Sequence, residues 1–129
     1  MHEKIMHEKI INNLEVLKIN WHLNKIQLCA LLNDAGQDVS IRTVENYLSL
    51  NTLNLKTELA VKNISDDLEM CWHRMADFIK SKNMQVDDNC QVAWLSMAIY
   101  SEGWFDEFVS INPTNRRVSQ IVSMLYPKM

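Results

Sequence analysis

Two glycines, Gly36 and Gly103, and two prolines, Pro113 and Pro127, are all that punctuate 129 residues. So few residues suited to left-handed or rigid turns exclude collagen-like, linker-rich and turn-dense all-β chains. Hydrophobic residues make up 47% and charged residues 22%, the balance of a chain that buries a core rather than staying disordered. A chain of this length fits one domain, or one domain with an extra helical arm, and hides roughly two thirds of its unfolded surface. No apolar run is long enough to span a bilayer. The opening MHEKIMHEKI is charged throughout and lacks an apolar signal core, so no export signal is expected. Cys29, Cys71 and Cys90 are odd in number and widely spaced. That is no disulfide framework, and a reducing cytoplasmic location is expected.

The apolar spacing is helical along most of the chain. Ile10, Leu14, Leu17 and Trp21 predict an amphipathic helix over about 3–19. The MHEKI repeat at 1–5 and 6–10 fits an alternative start at Met6. His2 and His7 do not have the HExxH spacing of a zinc site and read as surface residues. Asn24 and Gln27 form a capping box for a helix with Ile26, Leu28, Leu31, Leu32 and Ala35 on its apolar face, ended by Gly36. Ser40 caps another, with Ile41, Val44 and Leu48 inward. A helix is favoured over 52–64, although LNLKTELAV also contains strand-like alternation. Ser65, with Asp66 and Asp67 in the first turn, opens a further helix bearing Leu68, Trp72, Met75 and Ile79. Asp87 or Asp88 starts the next. Its stretch CQVAWLSMAIY, 90–100, is apolar nearly all round and predicts a buried central helix. Gly103 interrupts it. A short apolar piece carries Trp104, Phe105, Phe108 and Val109. Asn112-Pro113 begins the last helix, with Val118, Ile121, Val122 and Leu125, stopped by Pro127. The expectation is an all-α domain of six to seven helices. Residues 1–64 hold the N-terminal arm and helix-turn-helix region, and 65–129 a helical core and dimerisation region, as one compact unit.

Residues 25–50, KIQLCALLNDAGQDVSIRTVENYLSL, contain the elements of a helix-turn-helix. Arg42, Thr43, Asn46 and Ser49 fall on the outward side of its second helix. There Arg suits guanine, Asn suits adenine and Thr suits phosphate or a thymine methyl. This stretch resembles the N-terminal helix-turn-helix of bacterial regulators of the DeoR and WYL types. The matching residues are Ala35-Gly36, Val39-Ser40, Arg42-Thr43-Val44 and Tyr47-Leu48. The resemblance covers about 25 residues and implies that Ile41–Leu50 is a recognition helix. It departs after Val44, where basic residues are usual in the family and this chain has Glu45-Asn46. A carboxylate there repels phosphate, yet it can accept from a cytosine amino group.

The remaining candidates are weaker. Lys18 and Lys25 could touch the DNA backbone from the bracing side. Arg116 and Arg117, at the start of the last helix, could hold a phosphate, or could pair with acids such as Asp106 or Glu107. Trp104, Phe105 and Phe108 form a candidate dimer or partner surface. Cys71-Trp72-His73 is neither a nucleophile–base pair nor, with Cys29, Cys90 and His22, a zinc set. No phosphate loop or nucleophile elbow is present, so neither catalysis nor a cofactor is expected.

Net charge is −3. Residues 1–64 are balanced and the acidic excess lies in 65–129, which favours the first half for nucleic acid. The expected function is a small cytoplasmic DNA-binding transcriptional regulator, acting as a homodimer on double-stranded DNA. The alternative is a helical protein-binding module, an inhibitor or adaptor of phage or mobile-element type.

Overall fold

The computed structural model describes residues 11–126, and the protein is all-α. Among the described residues there are seven helices: α1 Asn13–Asn20, α2 Lys25–Asp34, α3 Ile41–Leu48, α4 Leu55–Ser81, α5 Val92–Ser101, α6 Phe105–Ile111 and α7 Thr114–Leu125. The chain divides into two compact units between Lys62 and Asn63. The readings at His2, Met6, His7 and Pro127 lie outside the described residues.

In the first unit, α2 and α1 both pack against α3. Leu14, Leu17, Leu23, Leu28, Leu31, Leu32, Val44, Ala60 and Val61 are buried. Each of its four helices opens on a side chain that accepts from a backbone N–H three residues later. Asn12 serves Glu15, Asn24 serves Gln27, Ser40 serves Thr43 and Asn54 serves Thr57. Such caps satisfy N–H groups that have no partner within the helix. At Asn24 the capping box is complete.

Several sequence-based boundaries shift. The helix expected over 3–19 begins at Asn13 within the described residues, because the Asn12 side chain takes the capping position. No break occurs at Ser65, and α4 runs unbroken for 27 residues. Ser-Asp-Asp imitates a helix start, but the buried Val61, Ile64 and Leu68 keep helical spacing straight through it. Asp87 does not start α5. Its carboxylate accepts from the Asn89 N–H in a turn, and α5 begins at Val92. α7 begins at Thr114, after an Asn112 carbonyl group of the side chain accepts from the Thr114 N–H. Ile26 and Ile41, expected to face inward, are 66% and 43% exposed.

The second unit packs α5, α6 and α7 together, with Ile64, Leu68, Met75, Phe78, Ile79, Leu95, Ile99, Phe108, Val118 and Ile121 among its buried residues. Trp72 Nε1 donates to the Cys90 carbonyl at 2.7 Å, holding the 87–90 turn to α4. Asn115 is buried and donates to the Phe108 carbonyl at 2.8 Å, tying α7 to α6. α5 is not buried all round: Trp94 is 43% and Met97 65% exposed.

Among the described residues, helix ends use left-handed residues in four places, and glycine occupies two of them. Gly36 (φ 94°) and Gly103 (φ 75°) follow α2 and α5, while His22 (φ 55°) and Asn83 (φ 64°) follow α1 and α4. At α1 the Leu23 N–H reaches back to the Lys18 carbonyl at 2.9 Å, so the His22 conformation is built into the ending. A β-carbon in this region costs about 1–2 kcal/mol, less for asparagine. His22→Gly should therefore raise unfolding free energy by about 0.5–1 kcal/mol, and Asn83→Gly by less. Urea denaturation checks both.

Cys71 is fully buried, and its thiol is pushed up to about 12, first by burial and then by nearby Asp67. The folded state thus holds the thiol proton more tightly than the unfolded state does. Its contribution is complete below about pH 9 and is lost as pH rises toward about 12. Wild type should lose more stability than Cys71→Ala across that interval in parallel denaturant titrations.

Candidate nucleic-acid interface

α2 and α3 pack against one another across the short 35–40 turn, and two asparagines hold this arrangement. The first is Asn12, only 4% exposed. Its Oδ1 accepts from the Glu15 N–H, and its Nδ2 donates to the carbonyls of Tyr47 at 2.7 Å and Leu50 at 2.9 Å. One amide thus starts α1 and satisfies carbonyls at the far end of α3. The second is Asn33, in the last turn of α2. Its Oδ1 accepts from the Val39 N–H at 2.9 Å, and its Nδ2 donates to the carbonyls of Val39 at 3.0 Å and Cys29 at 2.9 Å. This pairing closes the turn. Between the paired residues, the Gly36 N–H reaches the Asn33 carbonyl and the Gln37 N–H reaches the Leu32 carbonyl, the double bond pattern of a Schellman ending.

Val44 is the buried anchor of α3. The opposite side carries Arg42, Glu45, Asn46 and Ser49, all exposed. At their spacing of three and four residues they form one stripe. Thr43 is half-buried, with its hydroxyl 3.1 Å from the Ser40 hydroxyl. Ser49 donates its hydroxyl to the Asn46 carbonyl at 2.8 Å. Lys25, at the start of α2, pairs with Glu45 at 3.1 Å. The lysine expected at the DNA backbone therefore sits against the carboxylate that breaks the family pattern. Lys18 is half-buried in the last turn of α1.

Arg116 and Arg117 belong to the second unit. Arg117 pairs with Asp67 on α4 at 3.7 Å, rather than with Asp106 or Glu107, and Glu107 pairs with Lys82. Arg116 is exposed.

Of the proposed aromatic surface, Phe108 is interior and Trp104 and Phe105 are half-buried. Phe108 is 2% exposed and meets Phe78 edge-on. Trp104 also packs on Phe78, and Phe105 stacks on Tyr100 with ring centres 4.8 Å apart. The exposed apolar side chains of this unit include Trp94 and Met97 on α5 instead.

Among the described residues, no group of three or more His, Cys, Asp or Glu could hold a metal ion. None of their helices is long and apolar enough to cross a membrane. No protein-family model, curated protein or solved structure matches the chain.

The cap that Asn12 places on Glu15 lies within local pattern, but its bonds to the Tyr47 and Leu50 carbonyls and those of Asn33 across the 35–40 turn have no local signal. Replacing Asn12 by alanine removes a cap worth about 1 kcal/mol and strands the Leu50 carbonyl at about 1 kcal/mol, while the Tyr47 carbonyl keeps the Leu50 N–H at 3.1 Å. Asn12→Ala should cost about 2 kcal/mol in urea denaturation. Asn12→Asp keeps the cap but loses both donors, so it should recover less than half of that.

Proposed function

We propose that this chain is a small DNA-binding regulator that places α3 in a major groove and acts as a dimer on paired half-sites. The observation that carries this reading is the outward stripe of α3. Arg42, Asn46 and Ser49 are exposed on a helix whose other side is anchored by Val44, and the fold makes little use of their side chains. Arg and Asn are the residue types that pair bidentately with guanine and adenine. The two asparagine clamps add rigidity, which lets a short helix hold the same register in every complex. The resemblance to the DeoR and WYL helix-turn-helix supports the same assignment. Lys25 would neutralise Glu45 while lying near the backbone, and Lys18 would lie on the bracing side. Arg116 and Arg117 would be secondary phosphate contacts.

A second reading is a protein-docking module, favoured by Trp94 and Met97. They lie one helical turn apart on α5, a helix with no charged residue. Uncharged, exposed aromatic and methionine side chains are typical of interface centres.

Fluorescence anisotropy against random duplex DNA separates the two. The DNA reading expects binding that weakens steeply between low and moderate salt, and about a tenfold loss in Arg42→Ala. Absence of binding at low salt would leave the docking reading in its place.

A further inference from the structure

We infer that Glu45, held by Lys25, is a specificity-determining residue that selects cytosine by accepting from its exocyclic amino group. This rests on the DNA-binding reading above and deepens it.

The geometry supplies the reason. Glu45 stands three residues after Arg42 and four before Ser49, in the middle of the exposed stripe of α3. A helix that brings Arg42 and Ser49 to base edges necessarily brings Glu45 there too. A bare carboxylate in that place would be driven away by phosphate charge. Here the charge is already matched, because Glu45 Oε2 lies 3.1 Å from Lys25 Nζ. The lysine comes from the first residue of α2, so its position depends on the packing of α2 on α3 and not on the DNA. The pair is about half-exposed at each end, which leaves the carboxylate accessible to an incoming donor.

An ionised carboxylate only accepts hydrogen bonds. Of the four base edges in the major groove, guanine and thymine offer it acceptors. Adenine offers one donor beside the N7 acceptor, and cytosine offers its amino group alone. Cytosine is thus the base whose own major-groove edge offers a lysine-held glutamate a donor and no acceptor. The same reasoning gives a directional consequence for Glu45→Gln. A glutamine has both a donor and an acceptor, the pair that matches adenine N7 and N6.

The test is selection from a random duplex pool with the full chain and with Glu45→Gln, followed by affinity measurements on the selected sites. Glu45 is exposed, and retained helical circular dichroism verifies that the variant is folded. In wild type one position per half-site should prefer cytosine by about tenfold over each other base. In Glu45→Gln that position alone should move to adenine or lose its preference, with the other positions unchanged. An unchanged consensus bound more tightly by the variant would overturn the inference and make Glu45 a plain repulsive charge. A wild-type consensus lacking a required cytosine would overturn it equally. If wild type enriches nothing, the DNA-binding reading falls, and this inference falls with it.

Discussion

The Asn12 side chain stands where the beginning of α1 meets the end of α3, and it makes three hydrogen bonds from a position closed to water. A buried amide can be tolerated only when its donors and its acceptor are served. At Asn12 both amide hydrogens and the oxygen are. The requirement runs in the other direction as well. The Leu50 carbonyl lies just past a helix end, where intrahelical partners run out, and the Tyr47 carbonyl accepts from the Leu50 N–H as well as from Asn12. Asn12 therefore fixes how far α3 extends and how α1 lies against it. Leucine packing alone is non-directional and would allow α3 to slide or rotate. The hydrogen bonds select one arrangement, and that arrangement turns Arg42, Glu45 and Asn46 outward.

Electrostatics complete the first unit. Between residues 11 and 62 basic and acidic side chains are equal in number, so no broad positive field surrounds the helix-turn-helix. Affinity for a polyanion would have to come from local arrangement. Pairing Lys25 with Glu45 is the device the structure offers, since it removes a repulsive charge from the middle of α3. An exposed ion pair contributes about 0–1 kcal/mol to folding. Its effect on the character of the α3 surface is larger than its effect on stability.

Local signals were legible in the sequence and distant partnerships were not. The Asn24–Gln27 box, the Ser40 cap and the Gly36 and Gly103 endings lie within a few residues of their partners, so their chemistry can be read from spacing. Asn12 acts on carbonyls 35 and 38 residues away, and nothing in Ile-Asn-Asn marks that. The Ser65 misreading has the opposite origin: a true capping sequence sits inside a helix that never breaks. α5 and α6 show the limit of composition. An apolar run states what could be buried, but whether Trp94 or Trp104 finds a neighbour depends on which helices pack there. Likewise, the stripe of α3 was visible from helical periodicity, while the Lys25 partner of Glu45 required the packing of α2.

The proposed function requires α3 to be the surface that meets DNA. Nuclear magnetic resonance titration of the labelled full chain with short duplexes tests it residue by residue. Shifted amides should concentrate in 25–27 and 40–49, with Arg42, Glu45 and Asn46 among the largest. Shifts concentrated around Trp94 and Met97, with α3 unmoved, would contradict it.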